Sequence, residues 1–184
     1  SEVKAFNTYV QFALEDKPDL LQTADLVIIT TAEWESEASL WKLKAKGQSW
    51  AFIQGWSEPH TLVGHALASP RGDYDGRHLF SDNGDFSHKY TEWPEGGVVP
   101  LPACGESFIP GNAAGMNTIA TMITQASIQY LNGIKKESLW LTSINRPADA
   151  QVLGGTYIGP DLPTGTIQTV LERAWPESTH EAGK

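Results

Sequence analysis

Continuous apolar runs along the chain alternate with segments whose apolar residues recur at helical spacing. Residues 26–31 (LVIITT) form a β-branched run, and residues 34–46 then carry their apolar side chains on one helical stripe that Gly47 would end. Residues 49–54 (SWAFIQ) form a second apolar run. This strand–helix–strand pattern is typical of α/β proteins with a parallel sheet, whose strands are buried on both faces.

The rest of the chain predicts further strands and two more helices. Residues 61–69 (TLVGHALAS) and 138–144 predict strands. Residues 113–131 predict the longest helix, for which Asn112 is a suitable N-cap. Residues 166–174 predict a short last helix.

An irregular stretch over residues 70–111 separates these elements and is dense in Gly, Pro, Asp and Asn. So long a stretch without clear periodicity is uncommon in a compact domain and tends to be functional or mobile. Cys104 lies within it, in PACGESFIPGN, shortly before the long helix, whose N-terminus could stabilise a thiolate. We predict one α/β domain over residues 1–175 and a flexible tail over residues 176–184.

Composition and charge narrow the class of protein. Of the 184 residues, 40% are hydrophobic and 19% are charged, as expected for a globular chain. The net charge of -9 disfavours binding to nucleic acid or to an anionic membrane, because both require clustered cations. The single Cys excludes an internal disulfide and a Cys-rich zinc site, which favours a reducing, cytoplasmic setting. Neither GxGxxG nor GxxxxGK[ST] occurs, so the chain encodes no complete dinucleotide or P-loop site.

Carboxylates follow the first predicted strand directly, at Glu33, Glu35 and Glu37. Ligands of α/β sheets bind at the carboxyl ends of strands, which places Glu33 to contact a nucleotide or Mg²⁺. The alternative is a favourable negative charge at the N-terminus of the next helix. Glu58 and His65 form a second candidate set, either as a buried strand pair or as the edge of a site.

The histidines allow a thiol hydrolase and make a metal site less plausible. Cys104 with His65 or His88 as its base would suit a thiol hydrolase, although no spacing in the chain specifies one. No HxxxH or HExxH occurs and the five histidines are scattered, so we predict no metal site held by the protein's own ligands.

Four segments in a fixed order carry a family resemblance. They are ADLVIITTAEWESEASLW, AFIQGWSEPHTLVGHAL, PACGESFIPG and the long helix ending in LNG, and they cover about residues 20–135. This order resembles the second half of a ThiF/HesA-family adenylyltransferase, the family of the ubiquitin-activating enzymes. The similarity is closest to the bacterial ubiquitin-activating-like proteins of antiphage operons. It implies an α/β fold with a partial Rossmann-like sheet and a long crossover loop.

The resemblance also implies a reaction and roles for two residues. Family members use Mg²⁺ and ATP to adenylate the C-terminal glycine of a ubiquitin-like protein. They then hold that protein as a thioester and pass it to a conjugating-enzyme-like domain. Cys104 matches the family's crossover-loop cysteine, and Glu33 falls where the family commonly has an Asp near Mg·ATP.

The chain departs from the family before Leu26. The family's Gly-rich loop and phosphate-binding residues come earlier in the fold and do not occur here, so we expect a fragment whose nucleotide-binding half lies elsewhere. The resemblance implies a homodimer for the full-length protein. Two alternatives stay open: a non-catalytic module that binds a ubiquitin-like or conjugating protein, and the Cys–His thiol hydrolase.

Overall fold

The described part of the protein, residues 3–100 and 107–175 of a computed structural model, is a mixed α/β structure. Its α-helices are α1 (Val10–Asp16), α2 (Trp34–Lys44), α3 (Ala113–Leu131) and α4 (Asp149–Val152). Its strands are β1 (Leu26–Ile29), β2 (Ala51–Ser57), β3 (Val63–Ser69), β4 (Thr91–Glu92), β5 (Val99–Pro100), β6 (Ser107–Phe108), β7 (Leu139–Asn145), β8 (Thr156–Tyr157) and β9 (Gln168–Arg173).

Five strands form one mixed sheet in the order β1-β2-β3-β7-β9. β1 and β2 are parallel, with Leu26 opposite Ala51 and Ile29 opposite Gln54. Parallel neighbours need a crossover connection, which α2 provides here. The other three neighbouring pairs are antiparallel. The carboxyl ends of the parallel strands β1 and β2 therefore lie at the same edge of the sheet, which we call the carboxyl edge.

Helix α3 covers one face of the sheet. Asn112 caps it as predicted, since the side-chain oxygen accepts a hydrogen bond from the Gly115 amide at 2.7 Å. Gly55 in β2 and Gly64 in β3 allow the helix to approach closely, because a Cβ at either position would overlap an isoleucine of α3. The buried cluster on this face consists of Ala51, Ile53, Ala66, Ala68, Ile119, Met122, Ile123, Ala126, Tyr130, Leu139 and Leu141.

Helix α2 and parts of the irregular stretch cover the opposite face. Trp41 is fully buried and packs edge-on against Phe52, with ring centroids 4.6 Å apart. Lys44 is also fully buried; its ammonium donates to the Trp50 carbonyl at 2.7 Å, and burial lowers its pKa to about 8. The other buried apolar residues of this face are Ile29, Leu40, Trp50, Val63, Leu67, Leu79, Phe86, Tyr90, Trp140 and Ile144.

The structure corrects three sequence-based expectations. Residues 166–174 do not form a helix, because Gln168–Arg173 is the edge strand β9, whose alternating exposure follows the period of a strand. The sheet is only partly parallel. β1 is not buried on both faces, since α3 packs mainly over β2 and β3 and leaves Ile28 47% exposed.

Short elements complete the described chain. β4 pairs with β8, and β5 pairs with β6, so that Pro100 lies opposite Ser107. The predicted tail over residues 176–184 lies outside the described residues. Among the described helices, none has the length and apolar character that crossing a membrane requires.

Candidate functional site

A cavity of about 810 Å³ lies at the carboxyl edge of the sheet. Ala32, just beyond β1, and Ser57, at the end of β2, both line it. In α/β sheets this edge is the usual place for a ligand. The other lining residues are Trp34, Glu37, Gln54, Trp56, Glu58, Pro59, Phe80, Asn83, Gly84, Asp85, Phe86, Lys89, Thr91, Glu92, Trp93, Gly96 and Ile109.

Strained backbone lies beside this cavity. Ala32 has φ 52°, and the consecutive residues His60 and Thr61 have φ 61° and 53°. Positive φ is unusual for any residue with a side chain and is an outlier for a β-branched one such as Thr61. Each such residue costs about 1–3 kcal/mol, and strain of this kind clusters at active sites and ligand clamps. Together with the cavity, it makes the carboxyl edge the candidate functional site.

Aromatic rings form much of the cavity wall. The Trp56 ring lies 5.2 Å from that of Phe80 and 4.8 Å from that of Phe86, and the Trp34 ring lies 4.8 Å from Phe80. Trp93 adds a further ring to the wall. These residues come from α2, from β2 and from the irregular stretch, so the fold gathers rings that are far apart in the sequence.

Glu37 places a buried carboxyl group in this wall. Its side chain accepts a hydrogen bond from the Gln54 amide at 2.8 Å, and Gln54 in turn accepts one from the Trp41 indole at 2.6 Å. The Thr31 hydroxyl lies 3.5 Å from a carboxyl oxygen of Glu37, which is the upper limit for a hydrogen bond. Burial raises the pKa of Glu37, and no Lys, Arg or His among the described residues forms an ion pair with it.

Glu58 is the most heavily bonded carboxylate of the site. It is 5% exposed and accepts four hydrogen bonds. One oxygen accepts from His65 Nε2 and from the Tyr90 amide, both at 2.7 Å. The other accepts from the amide of Thr91 at 2.7 Å and from its hydroxyl at 2.5 Å. Glu58 therefore joins the end of β2 to the irregular stretch.

His65 is fully buried and both of its ring nitrogens are occupied. Nδ1 accepts a hydrogen bond from the Trp140 indole at 3.1 Å and lies 3.2 Å from the Thr142 hydroxyl, so the proton of the neutral ring is on Nε2, facing Glu58. Burial lowers the pKa of His65, despite the neighbouring carboxylate. The two residues thus form a buried pair, and Glu58 also lines the cavity. His65 has no free nitrogen to accept a proton from a thiol.

Glu33 caps α2. Its carboxylate accepts hydrogen bonds from the amides of Glu35 at 3.2 Å and Ser36 at 2.8 Å. The bonding to Ser36, larger than the opposing effect of burial, lowers the pKa of Glu33. The neighbours of Glu33 on either side, Ala32 and Trp34, line the cavity. Contact between Glu33 and Mg·ATP stays a prediction.

One other sequence candidate, His88, does not line the cavity. Cys104 lies outside the described residues. His88 is half-buried, with its ring centroid 5.5 Å from that of Trp140, and burial lowers its pKa. Across the described ranges, no group of three or more His, Cys, Asp or Glu side chains could hold a metal ion.

Neither a scan against protein-family models nor a search of curated proteins finds a match for this chain. The geometry of the carboxyl edge therefore carries the functional argument.

The sequence interpretation missed the aromatic wall. Three of the seven tryptophans, Trp34, Trp56 and Trp93, line this one cavity although they are far apart in the sequence. Part of the signal was available, because Trp34 follows β1 and Trp56 is the penultimate residue of β2. Glu37 was noted only as one of three carboxylates, since burial cannot be read from its spacing.

Proposed function

We propose that the protein is the thiol-bearing half of a ubiquitin-activating-like adenylyltransferase, with a partial Rossmann-like sheet of the ThiF type. The nucleotide-binding half, with the phosphate-binding residues, lies outside these 184 residues in this proposal. ATP and Mg²⁺ are the cofactors, and the substrate is a ubiquitin-like protein that ends in glycine.

The observation that carries the proposal is the position of the chain on either side of Cys104. Gly96 and Ile109 both line the cavity at the carboxyl edge, and Pro100 is paired with Ser107. The described residues before and after the Cys104 segment are thus held beside the edge where an α/β sheet binds its ligand.

The order of strand directions supports the Rossmann-like part of the proposal. β1, α2 and β2 form one parallel unit with a helical crossover, which is the repeating unit of such sheets. A further parallel strand on the open side of β1 would extend this unit. β3, β7 and β9 continue the sheet in antiparallel order on the other side.

The proposed chemistry has two steps that suit a thiol. In the first, the carboxylate of the substrate's C-terminal glycine attacks the α-phosphate of ATP, which forms the acyl-adenylate and releases pyrophosphate. In the second, the Cys104 thiolate attacks the acyl carbon, which forms the thioester and releases AMP. The acyl-adenylate is a mixed anhydride with a good leaving group, so the second step needs a strong nucleophile and little base.

The first test is the pH dependence of iodoacetamide alkylation, followed by intact mass spectrometry. Because Cys104 is the only cysteine, the mass increase reports on it alone. We expect a rate that reaches its plateau well below pH 8, as for a stabilised thiolate. The same chain in denaturing urea is the control and should titrate near the ordinary thiol pKa of about 8.5.

A folded protein whose alkylation rate follows the urea control would contradict an activated thiol in this half. The decisive test then uses a longer protein that includes the nucleotide-binding half, with ATP, Mg²⁺ and the ubiquitin-like substrate. We expect a thiol-sensitive adduct that the Cys104→Ala variant does not form, while ATP–pyrophosphate exchange continues. A thioester formed by the alanine variant would refute the assignment.

A further inference from the structure

We propose that the cavity at the carboxyl edge binds an organic cation, namely an alkylammonium or guanidinium group. This inference rests on the side chains of the cavity and holds whether or not the proposed activity is correct. Three properties of the wall support it: its charge, its aromatic rings and its buried carboxylate.

Acidic groups outnumber basic groups in the wall. Four carboxylates line the cavity, at Glu37, Glu58, Asp85 and Glu92, against one ammonium group, at Lys89. The Lys89 ammonium is already paired with Asp85 at 3.0 Å. A cation would be attracted to such a wall, whereas an anionic group would meet net repulsion unless a metal ion or another part of the protein neutralised its charge.

The aromatic rings make the wall suitable for a cation that also has apolar parts. Trp34, Trp56 and Trp93 all line the cavity. The face of an indole attracts ammonium and guanidinium ions, and tryptophan is the strongest of the aromatic residues in this respect. A small hydrated metal ion would gain little from these rings, while an alkylammonium or guanidinium group would contact both rings and carboxylates.

Glu37 lies at the buried part of the wall and has no cationic partner among the described residues. It is 5% exposed, and its described hydrogen bonds come from neutral donors such as the Gln54 amide. A buried charge is normally paired, because burial without a partner is costly. The positive group of a ligand would supply that partner.

The test compares ligands of the same shape and different charge. N-acetylarginine methylamide and N-acetyllysine methylamide are titrated into the protein at low salt, with tryptophan emission and calorimetry as readouts. N-acetylcitrulline methylamide is the neutral control, since its urea group has the outline of a guanidinium. We expect saturable 1:1 binding of the cations and at least about tenfold weaker binding of the citrulline compound, as cation–π and ionic contacts require.

Matched variants assign the binding to the cavity. Glu37→Gln removes the charge but keeps a side-chain oxygen that can accept from the Gln54 amide. Glu92→Gln removes a charge at an exposed position of the wall. Each should weaken cation binding at least about threefold. Glu35→Gln is the control, because Glu35 is exposed on the same helix, outside the cavity, and should leave binding unchanged.

Three results would overturn the proposal. They are the absence of saturable cation binding, equal affinity for the citrulline and arginine compounds, and unchanged binding in both Glu37→Gln and Glu92→Gln. If Glu37→Gln fails to fold, the exposed Glu92→Gln variant decides alone.

A last comparison distinguishes the source of the cation. Acetyl-Ala-Arg-Ala-amide presents the guanidinium on a peptide, whereas butylguanidinium presents it on a small free molecule. Tighter binding of the peptide would identify a basic side chain of a partner protein as the ligand. Equal or tighter binding of butylguanidinium would identify a free organic cation, and both results support the proposed site.

Discussion

The buried carboxylate of Glu58 makes a sharp prediction about stability. The substitution Glu58→Gln keeps the size of the side chain but replaces one of its two acceptor oxygens by an amide NH₂ group. Each oxygen of Glu58 accepts two hydrogen bonds, from His65 and Tyr90 on one side and from Thr91 twice on the other. Whichever way the new amide is oriented, its NH₂ group therefore faces one of these two pairs of buried donors.

The expected cost follows from this count. A buried donor left without an acceptor costs about 1–3 kcal/mol, and hydrogen bonds to a charged acceptor are the stronger kind. If the NH₂ group faces Thr91, the Thr91 hydroxyl can rotate and accept a hydrogen bond from it, which recovers one of the two lost bonds. We therefore expect the free energy of unfolding to fall by about 2–4 kcal/mol. That is a large part of the 5–15 kcal/mol that typically stabilises a domain.

Equilibrium urea unfolding, followed by tryptophan emission at pH 7.5, measures this change. The matched control is Glu92→Gln, the same substitution at an exposed residue of β4, which should alter stability by less than about 0.5 kcal/mol. A loss below about 1 kcal/mol in Glu58→Gln would refute the hydrogen-bonding role that we assign to this carboxylate.

Three further predictions use the same unfolding measurement. Glu33→Ala removes the N-cap of α2 and should lower the free energy of unfolding by about 1 kcal/mol. Glu35→Ala should lower it by less than about 0.5 kcal/mol, and equal losses in the two variants would contradict the capping role of Glu33. Gly115→Ala places a Cβ against the carbonyl and hydroxyl of Thr61, so we expect a loss of about 1–3 kcal/mol rather than the gain usual for Gly→Ala in a helix. Lys44 has a pKa of about 8 in the native state and an ordinary pKa of 10.5 in the unfolded chain, so between these values mainly the unfolded state binds the proton. Stability should therefore rise as the pH increases from 8 towards 10, and Lys44→Met should reduce this slope; identical slopes would exclude Lys44 as its source.

The elements that the sequence predicted best are those with a strong local pattern. Helix α3 occupies residues 113–131 as predicted, because its apolar stripe is long and Asn112 marks its start. The strands at 61–69 and 138–144 were also recognised to within about two residues, which is the usual uncertainty at an element's ends. In each case residues close in sequence suffice to specify the element.

The features that the sequence did not predict depend on distant partners. The sequence of β9 alone predicts a helix. Its strand conformation comes from pairing with β7, which lies about 28 residues earlier in the chain. In this pairing Trp140 is opposite Arg173 and Asn145 is opposite Gln168. The partners of Glu58 at Tyr90 and Thr91 are 32 and 33 residues away. No local pattern reports such contacts.

The same contacts explain how an irregular stretch can form a wall of a binding cavity. Buried backbone amides need acceptors, and among the described residues the regular strand pairing near Tyr90 is limited to the two-residue strand β4. Glu58 supplies acceptors for the amides of Tyr90 and Thr91, and it is anchored to the sheet through His65. Trp93 is joined to the same set, since its indole donates to the Thr91 hydroxyl at 2.7 Å. The buried charge of Glu58 thus fixes the position of an aromatic ring that we expect to contact the ligand, which links the stability of this segment to the shape of the cavity.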